Sequence, residues 1–298
     1  MISEFSKLLI MEYNEKGCNP HLFIVEICRP FPWPQTRQMV HRKITTANHL
    51  GNVSGNQESS SHLTCRDRDL EILSPIKSEV GCILNSEKAE GAVKQLQESS
   101  TDGSLTPIVI DLDQDESITT AAKFVEESFG SLDILINNAG INRSSDPNAT
   151  LRESYRAVFE TNVFGVAVMT ATFLPLLRAS KYHDRRIVNV TSGLGQIGIA
   201  YSPTSEYNAK MWELPVYRGS KSALNMISAV NAINLEKENI LAVLAAPGFC
   251  RTNFGGGQGV KSAEEGARPI LRAATEGSPK ELFGKLVDDE NTLVEFGW

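Results

Sequence analysis

From Ser86 to the C-terminus the chain alternates two hydrophobic patterns. Short, nearly continuous apolar runs occupy residues 105–112, 132–136, 186–191 and 240–246, and predict buried strands. Between them apolar residues recur at every third or fourth position, the spacing of a helix with one buried face. This spacing predicts helices over 86–98, Asp115–Phe129, 150–179 and 217–238. Local signals mark the ends: Asp115 reads as an N-cap, Gly130 as a stop, and Pro175 as a tightening of the last turn of its helix. In the last helix Ala223, Met226, Ile227, Val230 and Ile233 fall on one face. Apolar strands separated by helices indicate an α/β fold, a doubly wound parallel sheet covered on both sides.

Residues 1–85 lack this alternation. Residues 28–34 hold three prolines and two bulky aromatics, which suits neither a helix nor a central strand. Residues 48–61 are rich in Gly, Asn, Gln and Ser without apolar periodicity, and read as loop or disorder. The best strand candidate is 21–28 (HLFIVEIC), with a shorter one at 61–65. The expected organisation is an atypical, largely irregular region over 1–61. One α/β domain follows over 62–298, with an irregular insertion at 68–85.

Composition narrows the function classes. A chain of 298 residues that is 41% apolar can build one large core. Its 29 basic and 36 acidic residues give a net charge of −7, which disfavours nucleic acid or an anionic membrane as main partner. No apolar run reads as long enough to span a bilayer. The Leu8-Leu9-Ile10 patch has neither a basic lead nor a small-residue cleavage site, so a cytoplasmic protein is expected. Cys18, Cys28, Cys65, Cys82 and Cys250 are odd in number and never spaced as C-x-x-C. Neither a disulfide framework nor a metal site is expected from them.

The candidate chemistry centres on Tyr217 and Lys221, four residues apart at the start of the last predicted helix. A phenol with an ordinary pKa near 10 exchanges protons poorly at neutral pH. A lysine one turn on presents its ammonium on the same face and favours the phenolate. Pro215 places Tyr217 in the first turn, where the helix dipole acts in the same sense. Three further signals precede this pair: Asn137-Asn138-Ala139-Gly140 ends one apolar run, Asn162 lies in the long helix, and Ser192 ends a second run. Singly these read as turn residues, a core contact and a strand end. In this order they point to proton transfer at a nucleotide-binding sheet.

The residues from Ser86 onward resemble the short-chain dehydrogenase/reductase family, and within it the carbonyl-reductase-like members. Tyr217-Arg218-Gly219-Ser220-Lys221 is similar to the family's Tyr-x-x-x-Lys signature, and Asn162 and Ser192 to the other two members of its catalytic tetrad. Asn138, Ala139 and Gly140 resemble the motif after the fourth strand, Asp111-Leu112 the adenine-contacting pair, and Pro247-Gly248 with Thr252 the segment that closes over the nicotinamide. Arg66 resembles the arginine at the end of the second strand that marks preference for a 2′-phosphate. The resemblance implies a Rossmann-like sheet and NADP as cofactor, with NAD the alternative. It also implies reduction of a ketone or aldehyde to an alcohol, or the reverse. Tyr217 would then be the general acid and base, and Lys221 would also hold the nicotinamide ribose. Ser192 would bond the substrate oxygen, and Asn162 would hold a water that relays protons towards Lys221. The implied partner is a small carbonyl compound or alcohol. Residues 197–214, with Tyr201, Tyr207, Met211 and Trp212, resemble an insertion that caps the family's dimerisation face, which favours a monomer. Residues 254–259 read as a glycine-rich lid.

One part of the family pattern is not legible. Its first strand feeds a T-G-x-x-x-G-x-G loop that holds the pyrophosphate at a helix N-terminus. The nearest match runs from Gly51 through Gly55, with Gln57 in place of the third glycine and no amphipathic helix before Cys65. The fold is therefore expected to be incomplete at its N-terminal part. The competing reading is a catalytically silent member, decayed or with a front end that comes from a faulty gene model, acting at most as an interaction module.

Overall fold

A computed structural model describes Thr106, residues 108–289 and 292–295, and four short strands nearer the N-terminus. These are Glu12–Tyr13 (β1), Leu22–Val25 (β2), Ile76–Ser78 (β3) and Val80–Gly81 (β4). The chain divides into a unit of Met1–Phe31 with Pro75–Trp298 and a unit of Pro32–Ser74; all described residues belong to the first. Arg66, the Gly51–Gln57 match, the predicted strand at 61–65 and the helix at 86–98 lie outside the described residues.

The sheet forms where the apolar runs predict it. Ile134–Asn137 (β5), Arg185–Val190 (β6) and Ile240–Ala245 (β7) are buried along almost their whole length. Lys285–Val287 (β8) and Leu293–Glu295 (β9) complete one edge, giving the order β4-β2-β5-β6-β7-β8-β9. Every neighbouring pair is parallel except β8 with β9. β2 pairs with β5 from Leu22 opposite Ile134 to Val25 opposite Asn137. The strand candidate at 21–28, within a region expected to be largely irregular, thus enters the main sheet.

Alternate residues of the strands feed two cores. Leu135, Ile187 and Ala242 meet Ile118, Val125, Met169, Phe173 and Leu235 on one side. Ile134, Ile136, Val188 and Val243 meet Ala273, Ala274 and Leu282 on the other. The first side is covered by Asp115–Phe129 (α1), Val166–Ala179 (α3) and Pro215–Leu235 (α5). The second is covered by Ala263–Thr275 (α6) and Pro279–Leu282 (α7). Burial on both faces is what a parallel sheet requires.

Several expectations need correction. Among the described residues of 105–112 no strand forms: Ile108 makes a single bridge, while Ile110 and Leu112 are buried. Pro107, next to Ile108, brings no amide donor to a ladder. The N-cap of α1 is Gln114, and Asp115 lies in the first turn, where a negative charge complements the helix dipole. The long helix is continuous in direction but not in type. Leu151–Phe159 (α2), opened by a Thr150–Glu153 capping box, passes into a π-helical turn, Glu160–Gly165, before α3. By length and composition Leu151–Ala179 is apolar enough to cross a membrane, contrary to the sequence reading. Met169, Phe173 and Leu177 are fully buried against α1 and β5, which accounts for the apolar run. Most of the apolar stripe of α5 points outward: Met226, Val230 and Ile233 are at least half exposed. The buried face carries Ser220, Lys221, Asn225 and Ser228 as well, because each finds a hydrogen-bond partner there: Ser220 in Asn162 of the π-helical turn, the other three in the sheet and its loops.

Candidate active site

The carboxyl ends of β5, β6 and β7 lead directly into Asn138-Ala139-Gly140, Thr191-Ser192 and Ala246-Pro247-Gly248. The amino end of α5 faces this edge, with Pro215 at its first position and Tyr217 in its first turn. Crevices at the carboxyl edge of an open parallel sheet are where ligands of such folds bind.

Tyr217 is buried, and that burial pushes its phenol up to about 12, against a hydrogen bond with the Ser192 hydroxyl that pulls it down. Ser192 is held in turn by the Leu194 amide, which donates to its Oγ at 3.2 Å. Lys221 is buried too, and desolvation pushes its ammonium down to about 8. Its Nζ donates to the Val190 carbonyl at 2.8 Å and lies 5.9 Å from the centre of the Tyr217 ring. The sequence reading has Lys221 acidify Tyr217. The bond to the end of β6 leaves the ammonium beside the Tyr217 ring, and the bond with Ser192 is a second influence that lowers the phenol.

Asn162 sits in the π-helical turn, whose extra residue per turn redirects the side chain towards the loop after β5. Its Oδ1 accepts from the Ile141 amide at 2.7 Å, and its Nδ2 donates to the Ile141 carbonyl at 2.8 Å and the Ser220 Oγ at 3.0 Å. Asn162 thus clamps that loop to α5. Gly140 fits between Asn162 and Lys221: a Cβ there would lie 3.3 Å from Asn162 Oδ1 and 3.4 Å from Lys221 Nζ. The fold therefore brings Tyr217, Lys221, Ser192, Asn162 and Gly140 to one place.

The remaining candidates frame this cluster. Leu112 is buried, and its carbonyl would lie 2.7 Å from a Cβ on Gly165, so Asp111-Leu112 rests on the turn that carries Asn162. Thr161 ties the same segment by donating to Asp113 Oδ1 at 2.8 Å. Gly248 has φ +74°, and a Cβ there would meet the Asp289 side chain. Thr252 closes the next turn through backbone bonds with Cys250, Gly255 and Gly257. The expected lid is tied down at Phe254: Asn142 Nδ2 donates to its carbonyl at 2.9 Å, and its ring meets Tyr217 edge-on at 5.7 Å. Among the described residues no group of three or more ligating side chains gathers into a metal site.

Pattern reading missed the polar seam behind the site. Thr191 donates to Asn225 Oδ1 at 2.5 Å, Asn189 to Ser228 Oγ at 2.9 Å, and Asn137 to both Asn189 at 2.8 Å and Thr170 at 3.2 Å. The signal was available: Asn137 and Asn189 interrupt apolar strands, and Asn225 and Ser228 follow Lys221 at helical spacing.

The family model for short chain dehydrogenases matches residues 76–261. The chain belongs to the short-chain dehydrogenase family. As such it is an oxidoreductase. It is 92% identical over 214 residues to the short-chain dehydrogenase anuI of Penicillium roqueforti, covering 72% of this chain and 84% of that protein. It is 24% identical over 242 residues to the NADPH carbonyl reductase 1 of Bos taurus, covering 69% and 84%. The crystal structure of an NADPH-bound carbonyl reductase from chicken fatty liver superposes with a TM-score of 0.60 at 24% identity, over 72% of this chain and 82% of that one. The short-chain dehydrogenase fold is thereby established, as the sequence motifs implied.

Proposed function

We propose that this short-chain dehydrogenase reduces a ketone or aldehyde to an alcohol with NADPH, or runs the reverse reaction, using Tyr217, Lys221, Ser192 and Asn162. The observation that carries this reading is the buried Tyr217 phenol, hydrogen-bonded to Ser192, with Lys221 one turn along the same buried face. The residues fit the nicotinamide end of a dinucleotide. Gly140 adds no side chain over Lys221, and the Lys221 Nζ keeps donors beyond the one given to Val190. Asp111, Leu112, Asn138, Ala139, Pro247, Gly248 and Thr252 would complete that side, and Arg66 would mark the 2′-phosphate. The named NADPH enzymes among the similar proteins support NADP over NAD.

When bound, the dinucleotide supplies the hydride, which leaves the proton to the protein. Ser192 orients the carbonyl oxygen by donating to it, beside the Tyr217 hydroxyl. Burial keeps the phenol protonated until negative charge grows on that oxygen, and the proton then passes to it. The Lys221 ammonium offsets the charge left on Tyr217, and Asn162 keeps the loop after β5 and α5 at a fixed separation. Tyr217→Phe is expected to retain the melting temperature while carbonyl-dependent NADPH consumption falls by roughly 10²–10⁴. Undiminished consumption would remove Tyr217 from the chemistry.

A second reading, a family member that holds the dinucleotide weakly or not at all, is favoured by one observation. β2 is hydrogen-bonded beside β5, yet no glycine occurs between Val25 and Gly51. A pyrophosphate loop needs glycine where backbone approaches the phosphates.

A further inference from the structure

Arg218, next to Tyr217 in sequence, is buried at 8% exposure. Its Nε donates to the Trp212 carbonyl at 2.9 Å, one terminal nitrogen to the Leu194 carbonyl at 3.2 Å, and the other to the Tyr207 carbonyl. These three carbonyls span the segment that joins Ser192 to α5. Among the described residues the acceptors of this guanidinium are all main-chain, so its charge serves loop position rather than an ion pair. A planar fork can satisfy three carbonyls at set angles; an ammonium cannot do so from one point.

The joint itself supplies a second observation. Leu214, the last residue before α5, has φ 33° and ψ 49°, a left-handed conformation disfavoured for a leucine. Such a backbone persists only where its surroundings over-determine it. The Arg218 amide bonds the Leu214 carbonyl at 2.9 Å, while the side chain of Arg218 holds Trp212 two residues earlier. The Trp212 ring meets Phe249 edge-on at 5.3 Å, and Phe249 follows Gly248 in the loop after β7. Phe254 in the same loop meets the Tyr217 ring.

We infer that Arg218 is a positioning residue that straps residues 194–214 to the base of α5, so that Trp212 and Phe249 form a fixed apolar wall near Tyr217. That wall selects flat, ring-bearing ketones over small polar aldehydes, because aromatic walls reward large apolar faces. The selectivity rests on the reductase reading of the site; the strap does not.

The test compares the full-length chain with Arg218→Lys, Arg218→Ala and Asn208→Ala. Asn208 knits the segment internally, accepting from the Lys210 and Met211 amides and donating to the Ser205 carbonyl, without touching α5. Lys210 is exposed, so the rate of tryptic cleavage after it reports how firmly the segment is held. The three variants should be cut at least about threefold faster, in line with local opening of a loosened segment. With NADPH present, KM for benzophenone should rise about tenfold at nearly unchanged kcat, and KM for acetaldehyde should stay within about twofold. If Arg218→Ala does not fold, Arg218→Lys carries the same two readouts, and Asn208→Ala shows the effect of loosening the segment with the strap intact. An unchanged cleavage rate overturns the strap. Accelerated cleavage with unchanged KM, or with kcat falling for both carbonyls alike, overturns the wall. Wild-type protein inert towards both carbonyls counts against the reductase reading, and the cleavage rate still decides the strap.

Discussion

Tyr217 and Lys221 are displaced in opposite directions by one cause, the loss of water around both. The displacement of Lys221 has a consequence for stability. Its pKa falls from an ordinary 10.5 to about 8, so between these values the unfolded chain binds more protons than the folded one. Stability contributed at this position therefore rises with pH across that window. Tyr217, raised from 10 to about 12, acts in the reverse sense above pH 10, where the folded chain holds the extra proton. Lys221→Met should remove the rise: thermal melts taken from pH 8 to 10 should show wild type gaining on the variant. A constant difference would mean that Lys221 is not buried as described. Asn162→Ala should cost about 1–3 kcal/mol in urea unfolding, since the Ile141 amide and carbonyl lose their partner in a buried place. At this scale the sequence named the residues but not their environments. Tyr-x-x-x-Lys places two side chains on one face, whereas the direction of Lys221 depends on where the Val190 carbonyl ends up.

Elements were legible where burial and periodicity agree. β5, β6 and β7 are apolar because both their faces are covered, so the pattern needs no tertiary information. α5 was legible as a helix and misread as to its face, because hydrogen bonds to the sheet outweigh its apolar stripe. Val230→Lys should accordingly change the melting temperature little, as surface changes usually stay within about 0.5 kcal/mol. A large loss would show that this face is covered in solution. The π-helical turn had no sequence signal at all. It is recorded instead in Gly165, where a Cβ would meet both the carbonyl and the side chain of Leu112 within 2.8 Å. Gly165→Ala should destabilise by about 1–3 kcal/mol through overpacking. An unaltered unfolding midpoint would mean that the turn relaxes freely.

At the scale of the whole molecule, a sheet typical of the family is joined to a sequence after β2 that lacks the family's glycine pattern. The sheet's core and its two covered faces follow from residues 108–289. β2 supplies the strand beside β5 without a glycine loop in the sequence that follows it. That placement was not legible, since a four-residue strand amid prolines gains its partner only from the register of β5. The same arrangement sets the central question, whether the nicotinamide end of the site holds a dinucleotide without the usual pyrophosphate cradle. Calorimetric titration of NADPH into the full-length protein answers it. The account predicts saturable one-to-one binding that weakens when Lys221 is replaced by Met. No binding heat at millimolar NADPH, from protein shown to be folded, would contradict it.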